Sequence, residues 1–172
     1  MNKLINQYQN IPLSDIDITD QIKTNIVTYH DLPKYDNIDE LLINDTCFLL
    51  YEFKRNYGHW CLISKHDNNI EFFDPYGKLP DYTLQLVNPN IKKELNEDYK
   101  YLTNLLLKTH YQTSYNPYDF QHLNKNIKTC GRWCILRAKT KDLPIQEFCK
   151  LFYGKDSDLI ASFLTANKSQ IK

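Results

Sequence analysis

The sequence predicts an α+β protein with a central, mostly antiparallel sheet flanked by helices. Three short apolar segments follow one another between residues 46 and 73, separated only by turn-forming residues, which is typical of antiparallel strands. Beyond residue 90, apolar residues recur mainly at helical spacing. At 172 residues, the chain is long enough to bury one sizeable core. We therefore expect a single domain over residues 1–172, with its core in residues 46–140 and helices in residues 141–172.

The strands give the strongest local signal. The predicted strands are Thr46–Phe53, His59–Ser64, Ile70–Phe73 and, at the edge of the sheet, Tyr111–Tyr115. The first two links, Asn56-Tyr57-Gly58 and residues 66–69, are rich in residues that favour tight turns. Because the first three segments are almost wholly apolar at their centres, we expect both faces of the sheet to be covered.

Helices are predicted before and after the strands. Asp36 and Asn37 are suitable caps for a short helix that ends before Asp45. Residues 1–35 contain Pro12, Pro33 and scattered apolar positions, so we predict an irregular N-terminal arm with one helical turn. The further predicted helices are Ile91–Lys108, Cys130–Lys139 with Thr129 as its cap, Pro144–Tyr153 and Ser157–Ala166.

Charge and cysteine content exclude several classes of protein. Lys and Arg together number 21, as do Asp and Glu, so no overall field attracts nucleic acid or an anionic membrane. No apolar run reaches about 18 residues, the length of a membrane span. The first twenty residues carry aspartates that a secretory signal lacks, and the five cysteines have no framework spacing. We expect an intracellular monomer with reduced thiols and no membrane contact, and the charge gives no support for nucleic acid binding.

One cysteine stands where a thiolate would be stabilised. Cys130 begins the helix predicted after Thr129, where free backbone N–H groups and the helix dipole favour negative charge. Cysteine-dependent hydrolysis further needs a base, a partner for that base, and donors for the developing oxyanion. The backbone N–H of Cys130 is available as one donor, and Gly131 leaves space for a substrate backbone. Cys130 is therefore the candidate nucleophile.

The remaining requirements have candidates in the predicted sheet and in the loop before Cys130. His59 begins one strand and Asp74 ends the next, so adjacent antiparallel strands bring an imidazole and a carboxylate together. Gln121 lies in a polar loop shortly before Cys130 and offers a side-chain amide to the oxyanion. The sequence thus predicts a Cys-His-Asp catalytic site.

These residues occur in an order that resembles a known family of proteases. The motifs Gly58-His59-Trp60, Phe72-Phe73-Asp74-Pro75, a glutamine, and Thr129-Cys130-Gly131-Arg132-Trp133 follow one another as in the adenain-like cysteine proteases, relatives of the SUMO proteases. The chain most resembles the branch found in virophages and polinton-like elements. The resemblance covers residues 46–140, and the ordered set of motifs carries it rather than any single one.

The resemblance implies a papain-like fold in permuted order, with the nucleophile at the N-terminus of a helix. It also implies that Trp60 packs beside the imidazole of His59 and limits its contact with water. The residues to which it gives roles are His59 as base, Asp74 as partner of the base, Cys130 as nucleophile, Gln121 and Cys130 as the oxyanion hole, and Trp60 and Gly131 as lining of the substrate cleft.

The glutamine departs from the usual pattern of the family. Gln121 lies nine residues before Cys130, which is farther than in adenain and the SUMO proteases. Asn124 and Asn126 lie closer to the nucleophile and carry the same amide group. They are therefore alternatives to Gln121 as the second oxyanion donor.

The same resemblance implies a maturation protease that cuts capsid or other virion precursor proteins, in the virion and in the virus factory of the host cytoplasm. Relatives cut near small residues, often Gly, which suits a narrow cleft lined by Trp60. Adenain responds to DNA and to a viral peptide, but the balanced charge gives no support for a DNA requirement here. We expect no cofactor and no metal ion.

Less specific interpretations apply to the same residues. A helical cysteine is more often a small buried hydrophobe, and Asp74 is also suited to starting a turn. Cys130 and Cys134 with His122 and Cys149 offer zinc-ligating atoms, but a C-x3-C spacing within one helix lacks the turn of structural zinc sites. The alternative functions are a protease for a ubiquitin-like modifier and a non-catalytic binding module on the same fold.

Overall fold

A five-stranded sheet forms the centre of the computed structural model, which describes residues 7–124, 126–153 and 156–166. The strands are β1 (Asn25–Thr28), β2 (Thr46–Lys54), β3 (Tyr57–His66), β4 (Asn69–Phe73) and β5 (Gln112–Tyr115), and they lie in the sheet in chain order. β2, β3 and β4 pair antiparallel, as predicted, while β1 and β5 run parallel to their neighbours at the two edges. The predicted α+β class with an antiparallel centre is therefore confirmed.

Short helices surround this sheet. Those whose full extent is described are α1 (Asp15–Thr19), α2 (Pro89–Glu94), α3 (Tyr101–Lys108), α4 (Cys130–Lys139), α5 (Ile145–Phe152) and α6 (Ser157–Leu164), together with the 3-10 segments Tyr29–Lys34, Ile38–Leu41 and Tyr82–Gln85. α4 begins and ends at the predicted residues, and α5 and α6 lie within their predicted ranges. In the described part of the chain, no helix is long and apolar enough to span a membrane.

The sheet is covered on both faces because its apolar side chains alternate along the strands. In β2, Phe48 and Leu50 belong to one core cluster, whereas Cys47, Leu49 and Tyr51 belong to a second cluster. The first cluster contains residues of α4, α5 and α6, and the second contains residues of α3 and of the 3-10 segments before β2. The helix that begins at the candidate nucleophile therefore packs against one face of the sheet.

A buried ion pair holds the far end of α4 on the sheet. Nε of Arg137 lies 2.7 Å from Oε1 of Glu71 in β4, and Nη2 lies 3.0 Å from Oε2. Nη1 of Arg137 donates to the carbonyl oxygens of Thr140 and Leu143, just beyond the helix. A bidentate pair of this kind fixes both distance and orientation. The pair therefore fixes the position of α4, including its first residue, Cys130, relative to β4.

The predicted long helix Ile91–Lys108 is wrong, because the chain breaks it into α2 and α3. Asn96 adopts a positive φ of 56°, and the backbone N–H of Glu97 turns back to the carbonyl of Lys92. The hydroxyl of Tyr29 then accepts the backbone N–H of Tyr101 at the start of α3. Apolar spacing continues across the break although α2 buries none of its side chains and only α3 contributes to a core cluster, so the pattern alone does not reveal it.

The N-terminal arm is more regular than predicted. Within residues 7–35, Ser14 caps α1 through a reciprocal pair of hydrogen bonds with Asp17, and β1 adds a parallel strand to the sheet. Val27 of β1 is 3% exposed. Four residues with one buried side chain are too short a pattern to identify a strand from sequence. The first six residues of the predicted arm lie outside the described residues.

Candidate active site

The imidazole of His59 and the carboxylate of Asp74 meet at the end of the sheet. His59 lies in β3, and Asp74 directly follows β4. Nε2 of His59 lies 2.8 Å from Oδ1 of Asp74, which also accepts the backbone N–H of Tyr76 over 2.8 Å. Both side chains are buried. Because a carboxylate only accepts hydrogen bonds, Nε2 carries a proton, and Nδ1 is the ring nitrogen left for another partner.

The thiol of Cys130 is the candidate for that partner. It lies close enough to His59 for hydrogen bonding and charge to couple the two groups, and the backbone N–H groups of Trp60 and Gly131 also stabilise its thiolate. Burial raises the pKa of the Cys130 thiol, but the hydrogen bond and charge of His59 and the two N–H groups outweigh it, so the pKa lies below its ordinary value. The sequence-predicted Cys, His and Asp are therefore brought together.

The pKa of His59 is shifted in the opposite direction, above its ordinary value. Burial lowers the pKa of His59, but the charge and hydrogen bond of Asp74, supported by Cys130, raise it to about 10. A lowered thiol pKa beside a raised imidazole pKa favours the thiolate–imidazolium ion pair at neutral pH. Such a pair is a ready nucleophile with a proton donor beside it.

Tyr76 was missed by the sequence analysis. Its ring stacks on the imidazole of His59 with centroids 4.7 Å apart and planes 19° apart, the place expected for Trp60. Burial, followed by the charges of Cys130 and Asp74, raises the pKa of Tyr76, so its hydroxyl stays protonated. Tyr76 belongs to the segment after β4, which by composition indicated only a turn.

Trp60 faces the N-terminal arm instead. Its indole N–H donates to the backbone carbonyl of Leu13 over 3.0 Å. A Cβ added to Gly131 would lie 3.1 Å from Cδ1 of Trp60 and 3.2 Å from Cβ of Leu13. The space beside Gly131 that was expected to admit substrate is therefore lined by Trp60 and filled by Leu13. The backbone N–H of Lys128 donates to the carbonyl of Gln9, which fastens the arm to the loop before Cys130.

Gln121 lies at the site, where its side-chain nitrogen is hydrogen-bonded and its side-chain oxygen, Oε1, is buried without a partner among the described residues. Its Nε2 donates to the hydroxyl of Tyr76 over 2.9 Å and to the carbonyl of Ile127 over 3.0 Å. It lines a cavity of about 190 Å³ together with His59 and Cys130. Asn124, one of the two alternatives to Gln121, lines the same cavity.

The other alternative, Asn126, is exposed and absent from the lining of this cavity. Its backbone N–H donates to the side chain of Asn124. The structure therefore favours Gln121 and Asn124 over Asn126 as neighbours of the sulfur.

A larger cavity of about 490 Å³ lies on the other side of the arm. Its lining includes Leu13, Leu50 and Trp60. The two cavities share the residues Pro12, Tyr57 and Gly58. Gly58 cannot carry a side chain there, because a Cβ would lie 1.7 Å from the carbonyl oxygen of Tyr51 on the paired strand.

Asp158 was also missed and holds the start of α4. It is fully buried in α6, and its Oδ1 accepts the hydroxyl of Thr129 and the indole N–H of Trp133. Its Oδ2 accepts both the backbone N–H and Nδ1 of His122, the latter over 2.7 Å. Thr129 stands at the predicted N-cap position, but its hydroxyl is turned to Asp158 and does not cap the helix. One carboxylate thus joins both ends of the loop between Gln121 and Cys130.

The other four cysteines have different environments. Cys47, Cys61 and Cys134 are fully buried, whereas Cys149 is partly exposed. Burial, and then the charge of Asp74, raises the pKa of Cys61 well above its usual value, so it is a neutral thiol. The lowered pKa of Cys130 therefore comes from its neighbours, because burial by itself raises the pKa of a thiol.

Two groups of side chains in the described residues have ligand atoms close enough to hold a metal ion. One is His59, Cys61 and Asp74, and the other is His30, Glu52 and Glu97. The zinc set considered from the sequence is not brought together as such a group among the described residues. The first group coincides with the hydrogen-bonded pair of the candidate active site.

Comparison with known proteins gives one clear relative. No family model matches the chain. It is 43% identical over 152 residues to the uncharacterized protein V9 of Sputnik virophage, and the aligned region covers 86% of this chain and 87% of V9.

Among solved structures, loose similarities are found to two proteases. The ASFV pS273R protease is 18% identical with a TM-score of 0.36, over 70% of this chain and 41% of that protease. The SUMO protease Ulp1, in a structure with its catalytic cysteine oxidized to a sulfinic acid, is 17% identical with a TM-score of 0.38, over 96% of this chain and 74% of Ulp1.

Proposed function

This chain belongs to the family of the Sputnik virophage protein V9, and we propose that it is a cysteine endopeptidase that cuts viral capsid or other virion precursor proteins during maturation. The observation that carries the proposal is the buried relay Asp74–His59–Cys130 at the wall of a cavity. In that relay, Nε2 of the ring donates to the carboxylate over 2.8 Å, and the thiol and the imidazole are electrostatically coupled, each favouring the charged form of the other. A cysteine that is merely a core residue has no need of such partners.

In the proposed reaction, the Cys130 thiolate attacks the carbonyl carbon of a peptide bond, and the carbonyl oxygen becomes an oxyanion. The His59 imidazolium gives its proton to the leaving amine as the C–N bond breaks. Water then attacks the thioester, His59 takes a proton from that water, and the carboxylic product leaves as the thiolate returns. Asp74 keeps the ring oriented, with its charge raising the pKa of His59 as described above.

The oxyanion needs donors beside the sulfur. The backbone N–H of Cys130 is the first, as expected for a nucleophile at the start of a helix. The second is Gln121 acting through Tyr76, whose hydroxyl accepts the Gln121 amide and keeps its own proton to donate. This arrangement gives the glutamine a role at the longer spacing found in this chain.

A narrow site favours substrates with small residues next to the cut bond. The cavity that Cys130 lines is only about 190 Å³, and its boundary with the larger cavity is formed by Pro12, Tyr57 and Gly58. The side chain of Leu13 fills the space beside Gly131. A peptide passing this constriction would carry glycine or alanine there more readily than a branched residue.

The decisive experiment is cleavage of virion proteins by the purified enzyme, read as new termini by mass spectrometry. Wild type is expected to generate discrete new termini, and Cys130→Ala none. Cys134→Ala is the matched control, since it removes a buried thiol one helical turn away and is expected to retain cleavage. Cleavage by Cys130→Ala that equals wild type would overturn the proposal.

Two further readouts separate the proposal from its alternatives. Iodoacetamide is expected to label Cys130 selectively in wild type and to lose that selectivity in His59→Ala, whereas a non-catalytic module would show no difference. A ubiquitin or SUMO probe with a C-terminal electrophile is expected to remain unattached. Covalent capture of such a probe, without cleavage of virion proteins, would instead identify a protease for a ubiquitin-like modifier.

A further inference from the structure

A second group of ionisable side chains lies away from the catalytic cavity. His30 comes from the 3-10 segment after β1, Glu52 from the end of β2, and Glu97 from the link between α2 and α3. One ligand atom from each lies within 4.8 Å of the other two. Three separate parts of the chain therefore converge on one point.

The carboxylates in this group are buried without adequate partners. Glu97 is 0% exposed and Glu52 is 1% exposed. Among the residues that the structure describes, neither oxygen of Glu97 has a hydrogen-bond partner beyond a weak approach of the Glu52 backbone N–H. Nδ1 of His30 and Oε2 of Glu52 are 2.8 Å apart but lack the alignment of a hydrogen bond. The atoms that face one another are those left unsatisfied.

Two neighbouring buried carboxylates need a positive charge. Buried charges in proteins are normally paired or bound to a metal ion. A divalent cation between the two carboxylates would neutralise both, and the neutral imidazole would add a nitrogen ligand.

We infer that Nδ1 of His30 and the carboxylates of Glu52 and Glu97 bind a divalent transition-metal ion of the Zn²⁺ class, with a fourth position open to water. Imidazole nitrogen with carboxylate oxygen is a ligand set that Zn²⁺ accepts in tetrahedral geometry. Ligand atoms about 2.0–2.1 Å from such an ion lie roughly 3.4 Å from one another. That separation falls between the 2.8 Å approach of His30 to Glu52 and the 4.8 Å limit of the group.

The surroundings orient the ligands as metal sites require. Nε2 of His30 lies 3.3 Å from the hydroxyl of Thr28, which itself donates to Asp31, so Nε2 holds the ring proton and Nδ1 is free to ligate. The second oxygen of Glu52 accepts the backbone N–H of Asn56 over 2.6 Å. The side chain of His30 is 34% exposed, which gives an ion a route from solvent.

The ion would act on the strand that carries His59. Glu52 pairs with Gly58 across the β2–β3 hairpin, one residue before His59, and also holds the hairpin turn through Asn56. Binding would therefore join the hairpin to the segments of His30 and Glu97. The site needs no peptidase activity, so its test is independent of the proposed function.

The test is calorimetric titration of chelator-treated protein with Zn²⁺, combined with thermal unfolding. Wild type is expected to bind one ion per chain and to unfold at a higher temperature when it is bound. Glu97→Gln keeps the shape of the side chain, and His30→Gln alters a partly exposed ligand. Each is expected to weaken binding by about tenfold or more. Circular dichroism of both variants establishes that they are folded.

Two controls separate this site from other sources of binding. Glu94→Gln changes an exposed carboxylate three residues from Glu97 and is expected to bind like wild type. The double variant Cys61→Ala/Cys130→Ala removes the thiols of the candidate active site and is expected to keep the ion. Loss of binding in this double variant, or equal binding in Glu97→Gln, would overturn the inference. Absence of Zn²⁺ binding by wild type would overturn it as well. A higher unfolding temperature of Glu97→Gln would then indicate that the carboxylates of Glu52 and Glu97 share a proton.

Discussion

The indole N–H of Trp60 donates a 3.0 Å hydrogen bond to the backbone carbonyl of Leu13. This bond joins the strand of His59 to the N-terminal arm. Leu13 is 4% exposed and precedes Ser14, the cap of α1, with Ile18 in the same core cluster. A hydrophobic contact across a helix cap fixes the direction of the entering chain. Leu13 is thus a fixed wall of the site beside Cys130.

Shortening the side chain of Leu13 is expected to let the cleft accept larger substrate residues. Leu13→Ala should lower the free energy of unfolding by about 2–5 kcal/mol, as for other buried leucines. It should also raise kcat/KM for peptides with a branched residue next to the cut bond, relative to glycine. Leu105→Ala, in the second core cluster, is the matched control for stability. If the ratio of kcat/KM for the branched and glycine peptides is unchanged in Leu13→Ala, Leu13 does not limit the size of residue that the cleft accepts.

Removing the charge of Asp74 is expected to shift the pH profile. In wild type, kcat/KM should rise as Cys130 ionises below its ordinary pKa and fall as His59 loses its proton near pH 10. Asp74→Asn removes the charge that raises the pKa of His59, so the alkaline limb should move to lower pH. The maximal rate should fall on the order of 10²-fold or more. An alkaline limb that stays at the same pH in Asp74→Asn would show that Asp74 does not raise the pKa of His59.

The hydroxyl of Tyr76 is expected to act together with Gln121. Loss of one oxyanion donor lowers kcat by about 10²–10³-fold in other hydrolases, so Gln121→Ala should show a loss of this order. If the amide acts through the phenol, Tyr76→Phe should cause a similar loss, and the double variant should be no worse than either. Tyr118→Phe is the control. Fully additive losses would mean that the two side chains act separately.

Asp158 is expected to influence activity without contacting substrate. Asp158→Asn weakens the hydrogen bonds from Thr129, Trp133 and His122, which should cost about 1.5–3 kcal/mol of stability. The loop should then hold Gln121 less firmly. We expect a lower kcat, while the acidic and alkaline limbs of the pH profile stay at the same pH. Asp156→Asn, at an exposed position just before α6, should change neither quantity. Shifted limbs would instead indicate an electrostatic effect on His59.

Removing only one partner of the Arg137–Glu71 ion pair is expected to cost more stability than replacing both partners with uncharged residues. Arg137→Met leaves Glu71 buried without a partner and should lower stability by about 3–5 kcal/mol. Adding Glu71→Gln should recover much of that loss, because the uncompensated charge is gone. Chemical denaturation of the single and double variants measures this. No recovery in the double variant would indicate that lost packing of the arginine dominates.

Elements with strong local patterns could be predicted from the sequence. The almost wholly apolar segment Thr46–Phe53 predicts a covered strand, which is found as Thr46–Lys54, and Cys130–Lys139 is found at its predicted limits. The break at Asn96 could not be predicted, since it depends on a buried Glu97 and on the hydroxyl of Tyr29, which lies far away in the chain. β1 could not be predicted either, because its pairing with β2 supplies the order that four residues lack.

The sequence by itself determined the chemical inventory of this protein: a cysteine at a helix start, a histidine and an aspartate at strand ends, and their order along the chain. Only the tertiary structure decided what surrounds them: Tyr76 on the imidazole, Asp158 beneath the loop, Leu13 over Gly131, and the buried group around Glu97. The physical reason is that residue type and local spacing encode intrinsic chemistry and secondary structure. Contacts between distant segments arise from packing, which no local pattern specifies.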